Sequence, residues 1–316
     1  MDASISLDRI RDAADVIDAV FLHSPQFDCE PLSHQLGVTT LLKVETTNPI
    51  RTFKGRGTDY LLHQLGSDTT RLVCASAGNF GQGMAYACRK RGRKLTVFAA
   101  RIANPLKVER MRSLGATVKL QGDDFDAAKD AARRYAEEKR LLFVEDGLLG
   151  AIAEGAGTIA VELVAERVPL DAVFVPLGNG SLVNGMGTWL RRHSPTTKVI
   201  AVCARSAPSM ALSWKARKPI IAQSTTIADG IAVRVPVPEA VGFIAGTVDE
   251  VALVSDEEML TAMRMLHAQA GLVVEPSGAA GVAALAQRAS ELSGQRVAAI
   301  LTGGNVTEQQ LREWLY

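Results

Sequence analysis

Thr52-Phe53-Lys54-Gly55-Arg56-Gly57, residues 52–57, is the stretch on which the reading of this chain turns. Just before it, Leu41, Leu42 and Val44 read as a short buried strand, which Asn48-Pro49 breaks. After it, Tyr60, Leu61, Leu62 and Leu65 have helical spacing, and Gly66 can close that helix. Lys54 therefore sits where a broken strand hands over to a helix N-terminus. The helix dipole favours anions there, so an ammonium is misplaced unless its charge is lost, for example in a Schiff base with an aldehyde. The ordinary alternative is a solvated loop lysine, because Lys is mostly exposed. The rest of the chain must choose between the two.

Outward from Lys54, short apolar strands alternate with helices. Leu72–Ala75, Leu95–Ala100, Thr117–Leu120 and Leu141–Val144 read as strands, with helices after Asn79, from Asn104-Pro105 to Gly115 and from Asp126 to Lys139. A second series has helices at 153–167 and 182–193 and strands at 172–177, 199–203 and 297–301. Ser255-Asp256-Glu257-Glu258 is a capping box that opens a helix closed by Gly271. Residues 208–251 show no clear period. Such alternation predicts parallel sheets covered by helices on both faces. Two series predict two α/β domains with a cleft between them.

Composition narrows the partners. Lys+Arg 35 against Asp+Glu 34 leaves a net charge of +1, so no basic face suggests nucleic acid. No segment is apolar for long enough to cross a bilayer, and the N-terminus lacks the pattern of a signal peptide. Cys29, Cys74, Cys88 and Cys203 form no C-x-x-C pair, and the five histidines no H-E-x-x-H pattern. The expectation is a reduced, cytoplasmic chain without a metal, acting on a small molecule.

In open α/β sheets, ligands collect at the carboxyl ends of strands. Four stretches fall at such ends. They are the Lys54 loop, Ser76-Ala77-Gly78-Asn79-Phe80-Gly81-Gln82, Gly178-Asn179-Gly180-Ser181-Leu182, and Leu301-Thr302-Gly303-Gly304-Asn305. The amides and hydroxyl of the second can hold a carboxylate, and the amides of the third a phosphate. Each alone is also an ordinary glycine turn. Dinucleotide and P-loop fingerprints are absent.

Together and in this order, the four stretches resemble the fold-type-II pyridoxal-phosphate enzymes over roughly Phe27 to Asn305, and most closely the threonine/serine dehydratases. The resemblance implies two three-layer α/β/α domains with mostly parallel sheets. Residues 1–50 with 150–316 would form the large cofactor-binding domain, and 51–149 the small domain carrying the substrate-carboxylate loop. It implies pyridoxal 5'-phosphate as cofactor. Lys54 would be the Schiff-base lysine and the base for the Cα proton, and Phe53 would pack beside the cofactor. Ser76, Ala77, Gly78 and Asn79 would bind the substrate carboxylate, with Asn79 also reaching the pyridoxal 3-oxygen. Gly178, Asn179, Gly180, Ser181 and Leu182 would form the phosphate cup, with Gly230 and Glu275 bordering the site. Thr302 would face the pyridine nitrogen. A hydroxyl there makes the cofactor a weaker electron sink than a carboxylate would, which suits β-elimination better than transamination. The implied reaction gives a 2-oxo acid and ammonia from a hydroxy L-amino acid, with the cofactor phosphate as acid for the departing hydroxyl. β-Replacement of the cysteine synthase kind is the alternative, and a cofactor-binding protein without turnover is a third reading. The resemblance also implies a homodimer.

Departures from the pattern refine these expectations. Ala77 stands where serine racemases have a proton-donating serine, so racemisation is not expected. Ala204-Arg205-Ser206 stands where those enzymes carry acidic metal ligands, so no metal is expected. Phe80 replaces the usual histidine of the dehydratases, which speaks against plain L-threonine as substrate. With the chain ending at Tyr316, feedback by isoleucine through a regulatory domain is not expected.

Overall fold

The structure, a computed structural model, describes residues 3–66, 70–166 and 168–316. Its ten strands are β1 (Gln26–Asp28), β2 (Thr39–Val44), β3 (Leu72–Ala75), β4 (Leu95–Ala99), β5 (Thr117–Leu120), β6 (Leu142–Val144), β7 (Ala172–Pro176), β8 (Lys198–Ala204), β9 (Glu250–Val254) and β10 (Arg296–Leu301). They form a six-stranded sheet ordered β1-β2-β10-β7-β8-β9 and a four-stranded sheet ordered β5-β4-β3-β6. Every pairing is parallel except that of β1 with β2.

Both faces of each sheet are covered, and the strand period shows it. In the six-stranded sheet Leu42, Phe174, Ile200, Val202 and Ala299 pack in one cluster with Met259, Met263 and Leu266 of the helix Asp256–Ala270. Their chain neighbours Leu41, Val173, Val175, Ala201 and Ala298 pack in another, with Ile159, Leu182 and Met186 of the helices Gly150–Leu163 and Ser181–His193. Successive side chains of a strand point to opposite faces, so continuous apolar runs such as Val173-Phe174-Val175 belong to strands buried on both sides. The four-stranded sheet divides likewise, Leu72 and Cys74 on one face and Val73 and Ala75 on the other.

Local sequence sets several boundaries. The Asn104 side chain accepts the amide of Leu106 ahead of Pro105, and Ser255 with Glu258 makes the reciprocal capping box. Residues 208–251, unreadable from period, contain the helices Ser209–Ala216 and Pro238–Thr247 and lead into β9. The helix expected over 153–167 runs from Gly150 to Leu163, and Arg167 lies outside the described residues. An amphipathic helix Leu7–Val16, capped by Ser6, adds Ile10 to the core.

Strand order also fixes where a crevice opens. In the small sheet β3 runs on to β4 on one side while β6 flanks it on the other; in the large sheet β7 runs on to β8 while β10 returns on its far side. Strand order reverses at both places, and crevices form beyond the carboxyl ends of strands at such points.

Candidate active site

Four of the loops that leave these carboxyl ends converge on one cavity of about 450 Å³. From β2 the chain turns at Asn48, whose side chain is bonded on both sides. Its Nδ2 donates to the carbonyls of Glu45 and Thr52, and its Oδ1 accepts the amides of Ile50 and Thr52. Thr52 and Phe53 are then laced to the end of β10. The Phe53 amide and the Thr52 hydroxyl both donate to the Thr302 carbonyl, at 3.1 and 2.9 Å. The helix Lys54–Gln64 starts from this fixed point, and Lys54 enters the cavity with its ammonium 4.7 Å from the centre of the Phe53 ring.

Arg56 points the other way. Residues two apart on a helix lie on opposite sides of it. Arg56 is fully buried behind Lys54 and binds Glu45 through two nitrogens at 2.9 Å and Glu162 at 2.6 and 2.9 Å. Lys43 joins Glu162 at 2.6 Å. Burial works against the charge of Glu162, yet the bonds and charges of Arg56 and Lys43 outweigh it and hold its carboxyl down at about 2. Burial likewise opposes the Arg56 charge, and Glu45 and Glu162 overcome it to raise its pKa. This cluster pins the helix from behind.

The ammonium of Lys54 does have a counter-ion. Asp146, which follows β6, lies 2.6 Å from it, and the other carboxylate oxygen of Asp146 accepts the Ser181 hydroxyl at 2.7 Å. The mismatch between a cation and a helix N-terminus is thus met by a carboxylate ninety-two residues away.

Every residue to which the resemblance gives a role lines this cavity: Phe53 and Lys54 after β2, Ser76 to Asn79 after β3, Gly178 to Leu182 after β7, and Gly230, Glu275 and Thr302 from the large-sheet side. The Ser76 hydroxyl accepts the amides of Gly78 and Gly81 at 3.1 and 2.8 Å, which curls this loop around it. Glu275 is buried among donors: Asn79 Nδ2 at 2.6 Å, Ser277 Oγ at 3.0 Å, the Asn305 amide at 3.2 Å and Lys107 Nζ at 3.5 Å. Lys107 also holds Asp229 at 2.6 Å. Its burial opposes the charge, but Glu275 and Asp229 prevail and raise its pKa. The Thr302 hydroxyl is buried at the cavity wall, and Phe80 lines the cavity 5.9 Å from the Lys54 nitrogen.

The residues present suit an aldehyde that carries a phosphate. The helix Ser181–His193 starts without a side-chain cap, and Gly180 precedes it at φ +94°, a left-handed turn that a side chain would strain. Uncapped first-turn amides at a glycine turn make an anion seat. It opens into the same cavity as a lysine on an otherwise uncapped helix start.

Sequence reasoning passed over Asp146 and Lys107, and gave Asp229 and Asn305 no role of their own. Asp146 had a usable signal, because Glu145-Asp146-Gly147 follows a strand just as the four chosen loops do. Cys74, close to the carboxylate loop in sequence, is buried in the core, and burial pushes its thiol far up.

Residues 20–303 match the family described as pyridoxal-phosphate dependent enzyme. An L-threonine ammonia-lyase of Thermotoga maritima is 33% identical over 305 residues, covering 96% of this chain and 76% of that protein. Among solved structures, the processed form of threonine deaminase isoform 2 from Solanum lycopersicum superposes with a TM-score of 0.89 at 26% identity, over 99% of this chain and 94% of the other. Maize serine racemase gives 0.90 at 25%, over 98% and 96%. The chain belongs to the pyridoxal-phosphate dependent enzyme family.

Proposed function

We propose that this pyridoxal-phosphate dependent lyase eliminates the β-hydroxyl of an L-amino acid such as threonine or serine, giving a 2-oxo acid and ammonia. One arrangement carries the reading: Lys54 shares a single cavity with an uncapped glycine-turn helix start on one side and the Ser76–Asn79 loop on the other. Pyridoxal phosphate, when bound, supplies a carbonyl for lysine and substrate amines and a conjugated ring that stabilises charge at Cα.

The chain's own residues divide the remaining work. The Gly178–Leu182 amides hold the phosphate, and Phe53, Gly230 and Thr302 line the space for the ring. Ser76, Gly78 and Asn79 orient the substrate carboxylate, which places Cα beside Lys54. Lys54 takes the Cα proton, a role for which an amine freed from its covalent link is placed by construction. Ala77 offers no hydroxyl to deliver a proton to the opposite face, so elimination is the outcome rather than racemisation. Phe80 narrows and dries the pocket beside Lys54, so the substrate side chain is one that tolerates an apolar wall.

The same reading assigns residues 1–50 and 150–316 to a large domain, 51–149 to a small one, and a cytoplasmic homodimer as the working form. Among the described residues, no helix is long and apolar enough to cross a membrane. β-Replacement is not favoured, since no observation in the site calls for a second nucleophile.

The test is a 2-oxo acid and ammonia assay on a panel of L-amino acids with pyridoxal phosphate present, with and without added sulfide. Stoichiometric oxo acid and ammonia from a hydroxy amino acid support the reading. A new amino acid formed only with sulfide replaces it with β-replacement.

A further inference from the structure

Asn305 has no task in the reading above, yet it holds Asn79, and Asn79 lines the cavity. An amide side chain can turn end for end, so its partners decide which end it offers. Here both amides are decided. Arg110 Nη1 donates to Asn305 Oδ1, and a guanidinium cannot accept. Asn305 Nδ2 therefore faces the acceptors, the Ile50 carbonyl at 2.9 Å and Asn79 Oδ1 at 2.8 Å. Asn79 Nδ2 in turn donates to the Glu275 carboxylate at 2.6 Å. The bonds run in one direction, from a guanidinium that only donates to a carboxylate that, when ionised, only accepts.

This chain has little slack. Asn305 is 1% exposed, its backbone amide also donates to Glu275 at 3.2 Å, and Ile50 ties it to the loop before Lys54. A Cβ at Gly303 would lie 2.5 Å from Glu275 Oε1 and 2.9 Å from Asn79 Nδ2, so glycine lets that pair meet beside the end of β10. Arg110 reaches in from the helix Pro105–Ser113, on the small-sheet side. Among the described residues Glu275 is the acceptor for one N–H of Asn79, which leaves the other for whatever the cavity binds.

We infer that Asn305, anchored by Arg110, is a positioning residue: it holds the Asn79 oxygen so that Asn79 offers an N–H to an anionic oxygen bound in the cavity. That oxygen belongs either to the cofactor ring, beside its aldehyde, or to the substrate carboxylate. The inference rests on the reading of the site given above. Polarisation along the chain strengthens the N–H that is offered, and the charge of Arg110 acts in the same sense.

The test compares Asn305→Ala, Arg110→Met and Arg110→Lys with wild type, each loaded with pyridoxal phosphate. If the oxygen is the ring's, loss of the N–H lets it keep its own proton. The ratio of the visible to the near-ultraviolet absorption band should then fall by about tenfold, the effect of one lost hydrogen bond. If the oxygen is the substrate's, the bands should match wild type, and KM for the amino acid should rise by about tenfold with kcat little changed. Either result supports the assignment and tells the two oxygens apart. Arg110→Lys, which keeps a donor and a charge, should restore most of what Arg110→Met loses. On an Asn79→Ala background, Asn305→Ala should add less than about twofold, because its effect passes through Asn79. Urea unfolding of the cofactor-free proteins exposes a merely structural role. Lower stability with band ratio and KM both within about twofold of wild type overturns the inference, as does full additivity of the Asn79 and Asn305 losses. Should Asn305→Ala not fold, Arg110→Met against Arg110→Lys decides by the same readouts. A wild type without a visible band would instead defeat the reading of the site itself, whereas a banded wild type with unresponsive variants defeats only the role of Asn305.

Discussion

Lys54 and Arg56 leave the same helical turn in opposite directions, and their surroundings differ in kind. Arg56 is fully enclosed, and its five bonds to Glu45, Glu162 and Thr158 leave no room for exchange. Lys54 has one carboxylate partner and faces a cavity. The first arrangement is charge used as a fastener, and the second is charge held ready for replacement. A covalently reactive lysine needs both: a backbone that does not move, and a partner that releases it.

Breaking the fastener should cost most. Arg56→Met leaves Glu45 and Glu162 buried without their cation, and urea unfolding should show a loss of about 3–5 kcal/mol, the usual penalty for removing one partner of a buried pair. Lys54→Ala should cost less, about 1–2 kcal/mol, since Asp146 keeps the Ser181 hydroxyl and lines a cavity rather than packed core. Similar losses in the two variants would erase the distinction.

Acid sharpens the comparison next. The Glu162 carboxyl is held below its ordinary value of 4.5, at about 2. A carboxyl with a depressed native value contributes stability above its unfolded value, and the contribution fades as pH falls through the native one. On the order of 3 kcal/mol should therefore disappear between about pH 4.5 and pH 2. Glu162→Gln should be less stable at neutral pH and lose less on acidification, measured by urea unfolding at each pH. An unchanged acid slope would contradict the fastener account.

A smaller effect belongs to the cavity side. Ser76→Ala leaves the amides of Gly78 and Gly81 without their acceptor. Steady-state kinetics should show KM for the amino acid rising about tenfold with kcat changed little, as for a lost bond worth about 1.5 kcal/mol that holds a binding loop. A fall in kcat alone would move Ser76 from binding to chemistry.

The two regions also differ in how far sequence discloses them. The cavity loops follow apolar strands and carry glycines, hydroxyls and one lysine, so a rule about strand ends finds them. The capping boxes and Asn104-Pro105 mark helix starts in the same local way. Arg56 and its partners obey no local rule. Glu45 and Glu162 lie 11 and 106 residues away, and only the pairing of β2 beside β10 and the packing of the helix Gly150–Leu163 bring them together. Asp146 was legible in principle, since it follows a strand that the sequence discloses, but its pairing with a lysine ninety-two residues away is set only by the fold. The helix Pro238–Thr247 stayed hidden because Gly242 and Gly246 weaken its propensity and its apolar residues dominate all round.

The central claim is that Lys54 is the residue that bonds the cofactor, and borohydride trapping tests it directly. Protein loaded with pyridoxal phosphate would be reduced, digested and mapped by mass spectrometry, with Lys54→Ala alongside. The account predicts the pyridoxyl group on the peptide containing Lys54 and none in the variant. Labelling of Lys107 or Lys129, which line the same cavity, with Lys54 unmodified, would contradict it.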